Sequence, residues 1–185
     1  DYGDGLEGAY IYYAVIDSDT GEPHEIKPFQ DRINDVNGER IYGRIDIQKP
    51  EDYGPCGGAM KVENSRASSG WGPLLYDVAI EWATQSAEGL MADRSEVSSD
   101  ARKVWDFYLN SRSDVQAHQL DDKNNWLTLE DEDNCQQEIE GTGGTAVDMV
   151  DSNDDTWVES SLSKRYTKPP TTINALKAAG KLVEL

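Results

Sequence analysis

The sequence predicts a mixed α/β fold in which a central sheet is flanked by helices. Short apolar runs typical of strands come first along the chain, and after residue 59 strand-like runs alternate with amphipathic helical segments. Such alternation is typical of a βαβ crossover between parallel strands. With 185 residues, the chain is long enough for one domain with a full core. We place the core of this domain at residues 1–120 and expect residues 157–185 to complete it.

Two early segments have the composition of strands. Residues 9–16 (AYIYYAVI) form a continuous apolar and aromatic run, which predicts a buried strand. Residues 41–47 (IYGRIDI) alternate apolar and polar side chains, which predicts a second strand with one buried face. Residues 17–21 are interpreted as a turn, because their Asp-x-Asp spacing lacks the remaining ligands of a calcium loop.

The centre of the chain, residues 57–77 (GGAMKVENSRASSGWGPLLYD), predicts a strand, a glycine loop and the start of a helix. We expect the central strand at residues 59–63, the loop at residues 65–72 and the helix from about Pro73, because proline suits a first helical turn. Backbone N–H groups and the helix dipole at such a loop can bind phosphate. The spacing excludes a P-loop and the Rossmann fingerprint. An ordinary turn is the alternative interpretation.

Apolar residues then recur at helical spacing in two segments. The first helix is expected to end at Gly89, a residue type common at helix C-termini, and a short strand follows at residues 90–92. The second helix is expected to begin at Ser98 or Ser99, which suit the N-cap position. The apolar faces comprise Leu74, Leu75, Val78, Ala79 and Trp82 in the first helix and Ala101, Val104, Trp105, Tyr108 and Leu109 in the second.

Three further elements are predicted near the end of the chain. Residues 115–120 and 157–166 are expected to form strands. A final helix (INALKAAGKL) follows two consecutive prolines, and Thr171 or Thr172 is expected to supply its N-cap.

The chain is strongly acidic, with a formal net charge of −19. It would repel nucleic acid phosphate and anionic membranes, so binding to nucleic acid is disfavoured. We interpret this negative charge as a feature for solubility or for a salt-adapted surface. Binding of a basic partner and mimicry of nucleic acid are the less favoured interpretations. Residues 121–160 hold thirteen acidic residues and one basic residue. We therefore predict an acidic insertion at residues 121–156 that makes few core contacts and tolerates deletion.

The cysteines and histidines predict no metal site. Two residues of each type, in no metal-like spacing, do not build a convincing zinc site. Cys56 and Cys135 are expected to be reduced thiols, which fits a cytoplasmic location. The carboxylates of residues 130–133 could bind a divalent cation, but a solvated charge run is the preferred interpretation. No apolar run reaches membrane-spanning length and no signal peptide is recognised, so no membrane association is expected.

Residues 56–112 resemble the GNAT family, the Gcn5-related N-acetyltransferases. In that family a central strand leads into a Gln/Arg-x-x-Gly-x-Gly/Ala loop and a helix, and one more strand and a second helix follow. Here Gly70 and Gly72 fit the glycine pair, and SSDARKVWDFYL fits the second helix. Ala67 stands at the Gln/Arg position, and Ser98 stands where the family usually has Asn. The segment is also similar to acetyltransferase-like proteins encoded by tailed bacteriophages.

The resemblance implies a GNAT-like central sheet, acetyl-CoA as the cofactor and two catalytic residues. Glu63, at the end of the central strand, is the candidate base, and Tyr108 is the candidate acid for the leaving thiolate. The alternatives are an exposed strand-end carboxylate and a core aromatic residue, and Trp105 competes for the role of acid. The implied cofactor-binding residues are Met60, Lys61, Val62, Ser68, Ser69, Gly70, Trp71, Gly72, Leu74 and Ser98. Backbone N–H groups of residues 60–62 would polarise the thioester carbonyl.

Three functions are open at this point. The first is N-acetyl transfer from acetyl-CoA to an unidentified amine, a small molecule or a basic protein, which the acidic surface would attract. The second is a GNAT-fold protein that has lost catalysis and serves as a structural component, for example of a phage virion within a larger viral assembly. The third is an acidic interaction protein that mimics nucleic acid. The expected location is accordingly the cytoplasm, in a host cell if the protein is phage-encoded, or the virion.

Overall fold

The computed structural model describes residues 8–12, 43–50, 53–67, 70–93, 97–121, 127–136 and 158–184. Within these residues the chain forms a six-stranded mixed sheet flanked by three α-helices, which confirms the mixed α/β fold class. The strands are β1 (Gly8–Tyr12), β2 (Gly43–Gln48), β3 (Met60–Ala67), β4 (Leu90–Met91), β5 (Gln116–Gln119) and β6 (Lys164–Thr167). The helices are α1 (Gly72–Ser86), α2 (Ser99–Ser111) and α3 (Thr171–Ala178).

The order of the strands across the sheet is β1-β2-β3-β4-β6-β5. β3 and β4 are parallel, and every other neighbouring pair is antiparallel. α1 connects β3 to β4, and this βαβ crossover lies where the glycine loop predicted it. In the described parts of the chain, no helix is long and apolar enough to cross a membrane.

β3 is longer than the sequence predicted. The predicted strand covered residues 59–63, but β3 continues to Ala67, which pairs with Gly43 of β2. The part of the predicted loop from residue 65 to residue 67 is therefore strand. The cross-strand partner decides this length, and that partner is distant in sequence.

The predicted starts of α1 and α2 are confirmed, whereas α1 ends earlier than predicted. α1 begins at Gly72, close to the predicted start, but it ends at Ser86 rather than at Gly89. α2 follows Ser98, whose hydroxyl accepts a hydrogen bond from the N–H of Ala101 at 3.1 Å, as expected of an N-cap. Residue 157 lies outside the described residues, and of residues 158–166 only those from Lys164 onward are strand, as part of β6, which a 3₁₀ turn precedes.

The N-terminus of α3 is capped by another helix rather than by its own threonines. Its N-cap position is Pro170, and no side chain at that position caps it. The buried carboxylate of Glu81, on α1, accepts hydrogen bonds from the N–H groups of Thr172 at 2.8 Å and Ile173 at 2.6 Å. The prediction that Thr171 or Thr172 caps the helix is therefore wrong, because a tertiary contact supplies the acceptor.

The main hydrophobic core lies between the sheet and the helices. Aromatic rings from α1, α2 and β6 meet there: Tyr76 packs edge-on against Trp105 at 5.5 Å, and Trp105 stacks on Tyr166 at 5.2 Å between ring centroids. Ile45 and Ile47 of β2 belong to the same buried cluster. The whole predicted apolar face of α2 belongs to this core, whereas Leu74 and Val78 of the predicted α1 face lie outside the cluster.

A second, smaller cluster lies on the other face of the sheet. Leu90 belongs to the main core, and because successive strand residues point to opposite faces, its neighbour Met91 faces away from the helices. The cluster consists of Tyr53, Cys56, Ala59, Met91, Leu120 and Cys135. Cys56 and Cys135 form a disulfide that joins residues 79 positions apart. The prediction of reduced thiols is therefore wrong, and the expected cytoplasmic location loses the support that it drew from them.

The disulfide also attaches part of the acidic segment to the core. Cys135 is fully buried, and the N–H of Cys56 donates to the carbonyl of Asn134 at 3.0 Å. The N–H of Gly57 donates to the carbonyl of Glu132 at 2.6 Å. The prediction of few core contacts is therefore wrong for residues 132–135, whereas the side chains of residues 127–131 are exposed. The rest of the acidic segment after residue 136 lies outside the described residues.

Candidate functional site

The parallel pair of strands separates after two residues. Met60 pairs with Leu90 and Lys61 with Met91, and then β4 ends while β3 continues to Ala67. We call the opening between β3 and the residues after β4 the fork. Ligands of α/β sheets commonly bind outside the carboxyl ends of strands, which is where the fork opens.

A β-bulge lies at the start of the fork. Asp46 of β2 pairs with Asn64, and Ile47 pairs with Val62, so Glu63 is an extra residue without a partner across this ladder. A bulge bends the strand and redirects the side chain at that position, and bulges are frequent beside active sites. The predicted base, Glu63, is therefore the extra residue of a β-bulge, which the sequence did not reveal.

Charged side chains cluster around Glu63 on both sides of the fork. The Lys61 ammonium lies 2.8 Å from a carboxylate oxygen of Glu63 and 3.6 Å from one of Asp93, which follows β4. Gln48 donates a hydrogen bond to Glu63 at 2.6 Å. The Tyr53 hydroxyl lies 3.5 Å from Asp93. Lys61 therefore bridges two carboxylates that come from the two separating strands.

The charges in this cluster are unevenly exposed. The Lys61 side chain is almost buried, whereas that of Glu63 is 39% exposed. Burial lowers the pKa of Lys61, but the hydrogen bond to Glu63 and the charge of Asp93 outweigh it and raise the pKa above its usual value. Lys61 therefore stays an ammonium, and the exposed carboxylate of Glu63 can meet a second cation.

The glycine loop and the N-terminus of α1 lie beyond the end of β3. Gly70 has φ +87°, a left-handed conformation that favours glycine. Trp71 is the N-cap residue, and its side chain makes no cap hydrogen bond. A Cβ added at Gly70 would meet no atom within 4 Å, and one at Gly72 would meet only Ala67 at 3.8 Å. The backbone here is open to the approach of a ligand, and Ser68 and Ser69 lie outside the described residues.

Two of the implied site residues, Met60 and Ser98, have other partners in the structure. The N–H of Met60 donates to the carbonyl of Gly89 at 2.8 Å, so this N–H is engaged within the sheet. Ser98 caps α2. Leu74 is half-buried in the first turn of α1, and the exposed Trp71 lies just before it.

Tyr108 is buried, and its hydroxyl joins α2 to the start of α1. It lies 2.8 Å from a carboxylate oxygen of Asp77 and 3.2 Å from the carbonyl of Pro73. Arg112 forms a bidentate pair with the same carboxylate, at 2.9 and 3.2 Å. Burial, and then the negative charge of Asp77, raises the pKa of Tyr108 well above its usual value. The hydroxyl therefore holds its proton firmly.

No protein-family model, curated protein or solved structure matches the chain.

Sequence reasoning missed Gln48, Tyr53 and Asp93. The first two come from segments that are distant in sequence from the glycine loop. Asp93 left a usable signal, since it is an acidic residue directly after a short buried strand. Polar residues at the carboxyl ends of strands are good candidates for ligand contact.

Proposed function

We propose that the protein is an acetyl-CoA-dependent N-acetyltransferase that acts on a cationic amine. The observation that carries this proposal is the fork with its bulge at Glu63, which leads directly into the open glycine loop before α1. The succession of strand, loop, helix, strand and helix that the GNAT resemblance requires is present as β3 to α2. This succession of elements supports the proposal.

The open loop fits a coenzyme pyrophosphate. Because a Cβ would find space at Gly70 and Gly72, a phosphate can approach the backbone N–H groups there. Acetyl-CoA, when bound, supplies an acetyl group activated as a thioester. The part of β3 that continues beyond the end of β4 would hold that acetyl group at the fork.

Glu63 is the residue that would accept a proton from the attacking amine. It is exposed enough to reach the amine directly or through one water, and Lys61 and Gln48 fix its orientation. The exposed carboxylate of Glu63 carries a negative charge that attracts a cation. This charge favours an amine that arrives protonated, in a small molecule or on a basic protein.

The first experiment is calorimetric titration of acetyl-CoA, followed by an amine screen that measures thiol release. We expect saturable binding, and we expect Gly72→Val to weaken it about ten-fold or more, since several charge-assisted contacts are lost. Ala178→Val, in the exposed last turn of α3, is the matched control and should bind normally. Absence of saturable binding at about millimolar coenzyme, a usual upper range for substrates, contradicts the proposal.

The second experiment tests the base. Glu63→Gln should lower kcat by about 100-fold or more, a typical contribution of general base catalysis, while coenzyme binding stays unchanged. Glu184→Gln changes an exposed carboxylate near the end of the chain and should have no effect. Equal activity of the two variants would remove Glu63 from the mechanism.

The engaged hydroxyl of Tyr108 favours a second candidate function. If its contacts with Asp77 and Pro73 persist when coenzyme binds, the candidate acid supplies no proton to a leaving thiolate. The protein would then be a catalytically inactive GNAT-like fold with a structural role, for example in a viral particle. Coenzyme binding without turnover of any amine in a broad screen is the result expected for this function.

A further inference from the structure

Asp121, which follows β5, carries a carboxylate oxygen that has no hydrogen-bond partner. The residue is 1% exposed. Its Oδ2 accepts hydrogen bonds from the backbone N–H of Thr128 at 2.7 Å and from the Thr128 hydroxyl at 2.9 Å, whereas its buried Oδ1 has no partner. A buried carboxylate oxygen without a hydrogen-bond partner is strongly unfavourable, so we expect a ligand to bind this oxygen.

A second carboxylate lies on the other side of the same hydroxyl. The two oxygens of Asp133 are 3.3 and 3.2 Å from the Thr128 hydroxyl. A hydroxyl has one hydrogen and can donate to only one of the two carboxylates at a time. In the described part of the chain, no lysine or arginine forms an ion pair with Asp121 or Asp133. The carboxylates of Asp121 and Asp133 therefore lie close together with fewer hydrogen-bond donors than their oxygens can accept.

The backbone holds these carboxylates in place. The N–H of Asp121 donates to the carbonyl of Asp133 at 3.1 Å, and the N–H of Cys135 donates to the carbonyl of Asp121 at 2.7 Å. The disulfide from Cys135 to Cys56 attaches the turn formed by residues 127–134 to the buried cluster. The site is therefore built by the fold, unlike a solvated run of acidic residues.

We propose that Asp121 and residues 127–134 bind a calcium ion through Asp121 Oδ1, the carboxylate of Asp133, backbone carbonyl oxygens of residues 127–134 and water. Carboxylate and carbonyl oxygens are the ligands that Ca²⁺ prefers, and its flexible geometry suits an irregular turn better than that of Mg²⁺. No group of three or more His, Cys, Asp or Glu side chains is placed to hold a metal within the described residues. Two carboxylates predict an affinity at the weak end of calcium sites, with Kd about 10⁻⁴ to 10⁻³ M.

The test is a calcium titration of the full chain after removal of metals with a chelator. It uses calorimetry with CaCl₂ at about 150 mM NaCl, where diffuse attraction to the acidic surface is screened. We expect one saturable site. Asp121→Asn and Asp133→Asn should each weaken it about ten-fold or more, since each removes a charged ligand. Asp131→Asn is the matched control in the same turn, where Asp131 is exposed and accepts from Asn134, and should bind within a factor of about three.

Several results would overturn the proposal. They are no saturable binding up to about 10 mM, well above the expected affinity, equal weakening by all three variants, and binding of Mg²⁺ as tight as that of Ca²⁺. If Asp121→Asn does not fold, Asp133→Asn decides, because Asp133 is partly exposed and its loss is easier to accommodate. The site does not depend on coenzyme, so its failure is separate from that of the acetyltransferase proposal.

Discussion

Replacement of Glu81 by glutamine should destabilise the fold more than most single substitutions. Glu81 is fully buried on α1 and forms an ion pair with Lys168, which is also buried. The carboxylate accepts hydrogen bonds from the N–H groups of Thr172 and Ile173, and the Thr171 hydroxyl lies 3.1 Å from it. One carboxylate thus caps α3 and neutralises a buried cation.

The magnitude follows from what Glu81→Gln leaves behind. The Lys168 ammonium keeps the hydroxyls of Thr171 and Thr172 at 2.8 and 3.1 Å and a more distant carboxylate, Asp114, at 3.6 Å. Removal of one partner of a buried ion pair costs about 3–5 kcal/mol. Because Asp114 compensates part of the charge, we expect a loss of about 3 kcal/mol. This is a large fraction of a typical unfolding free energy of about 5–15 kcal/mol.

Urea unfolding followed by circular dichroism measures this loss. Glu88→Gln is the control, since Glu88 is an exposed glutamate just after α1, and its effect should stay within about 0.5 kcal/mol. Glu81→Gln combined with Lys168→Met should recover part of the stability, because no buried charge is left unpaired. A loss below about 1 kcal/mol, well under the range for a broken buried pair, would refute the reasoning.

The same pair predicts a pH dependence. Burial alone would raise the pKa of Glu81, but hydrogen bonds from Ile173, Lys168 and Thr172 together lower it below its usual value. A carboxyl with a lowered folded-state pKa stabilises the fold above its unfolded pKa of about 4.3, and this stabilisation disappears as the pH falls through the folded value. The difference between wild type and Glu81→Gln should therefore shrink at acidic pH. A constant difference down to the acid transition would contradict this account.

Three further predictions concern the disulfide, the glycine loop and the buried tyrosine. Replacement of Cys56 and Cys135 by serine should lower stability by about 4.5 kcal/mol on the chain-entropy estimate for a loop of this length, and a reductant should have a matching effect on the urea midpoint of wild type only. Gly70→Ala should cost about 1 kcal/mol because of its positive φ, whereas Gly72→Ala should be nearly neutral in the same assay. Tyr108→Phe should destabilise by about 1–2 kcal/mol, since it leaves a partly buried carboxylate short of one donor; unchanged kcat in this variant would show that the hydroxyl is structural.

The sequence determined the features that depend on neighbouring residues. The apolar face of α2 repeats at helical spacing, so its orientation toward the core could be predicted. The core face of α1 was predicted only in part, because Tyr76, Ile80 and Ala83 were missed. The hydroxyl of Ser98 and the glycine at position 70 act within a few residues of their own position. Such local preferences are present in any context, and the order of strands and helices around the loop followed from them.

Only the tertiary structure decided the features that join distant segments. The extension of β3 and its bulge at Glu63 depend on the register with β2, and a one-residue slip would have moved the bulge. Asp93 reaches Lys61 only because β4 lies beside β3. The Cys56–Cys135 disulfide and the unsatisfied oxygen of Asp121 likewise come from chain segments brought together by folding. Pairing partners far apart in sequence leave no periodic signal, so the charged cluster at the fork could be found only in three dimensions.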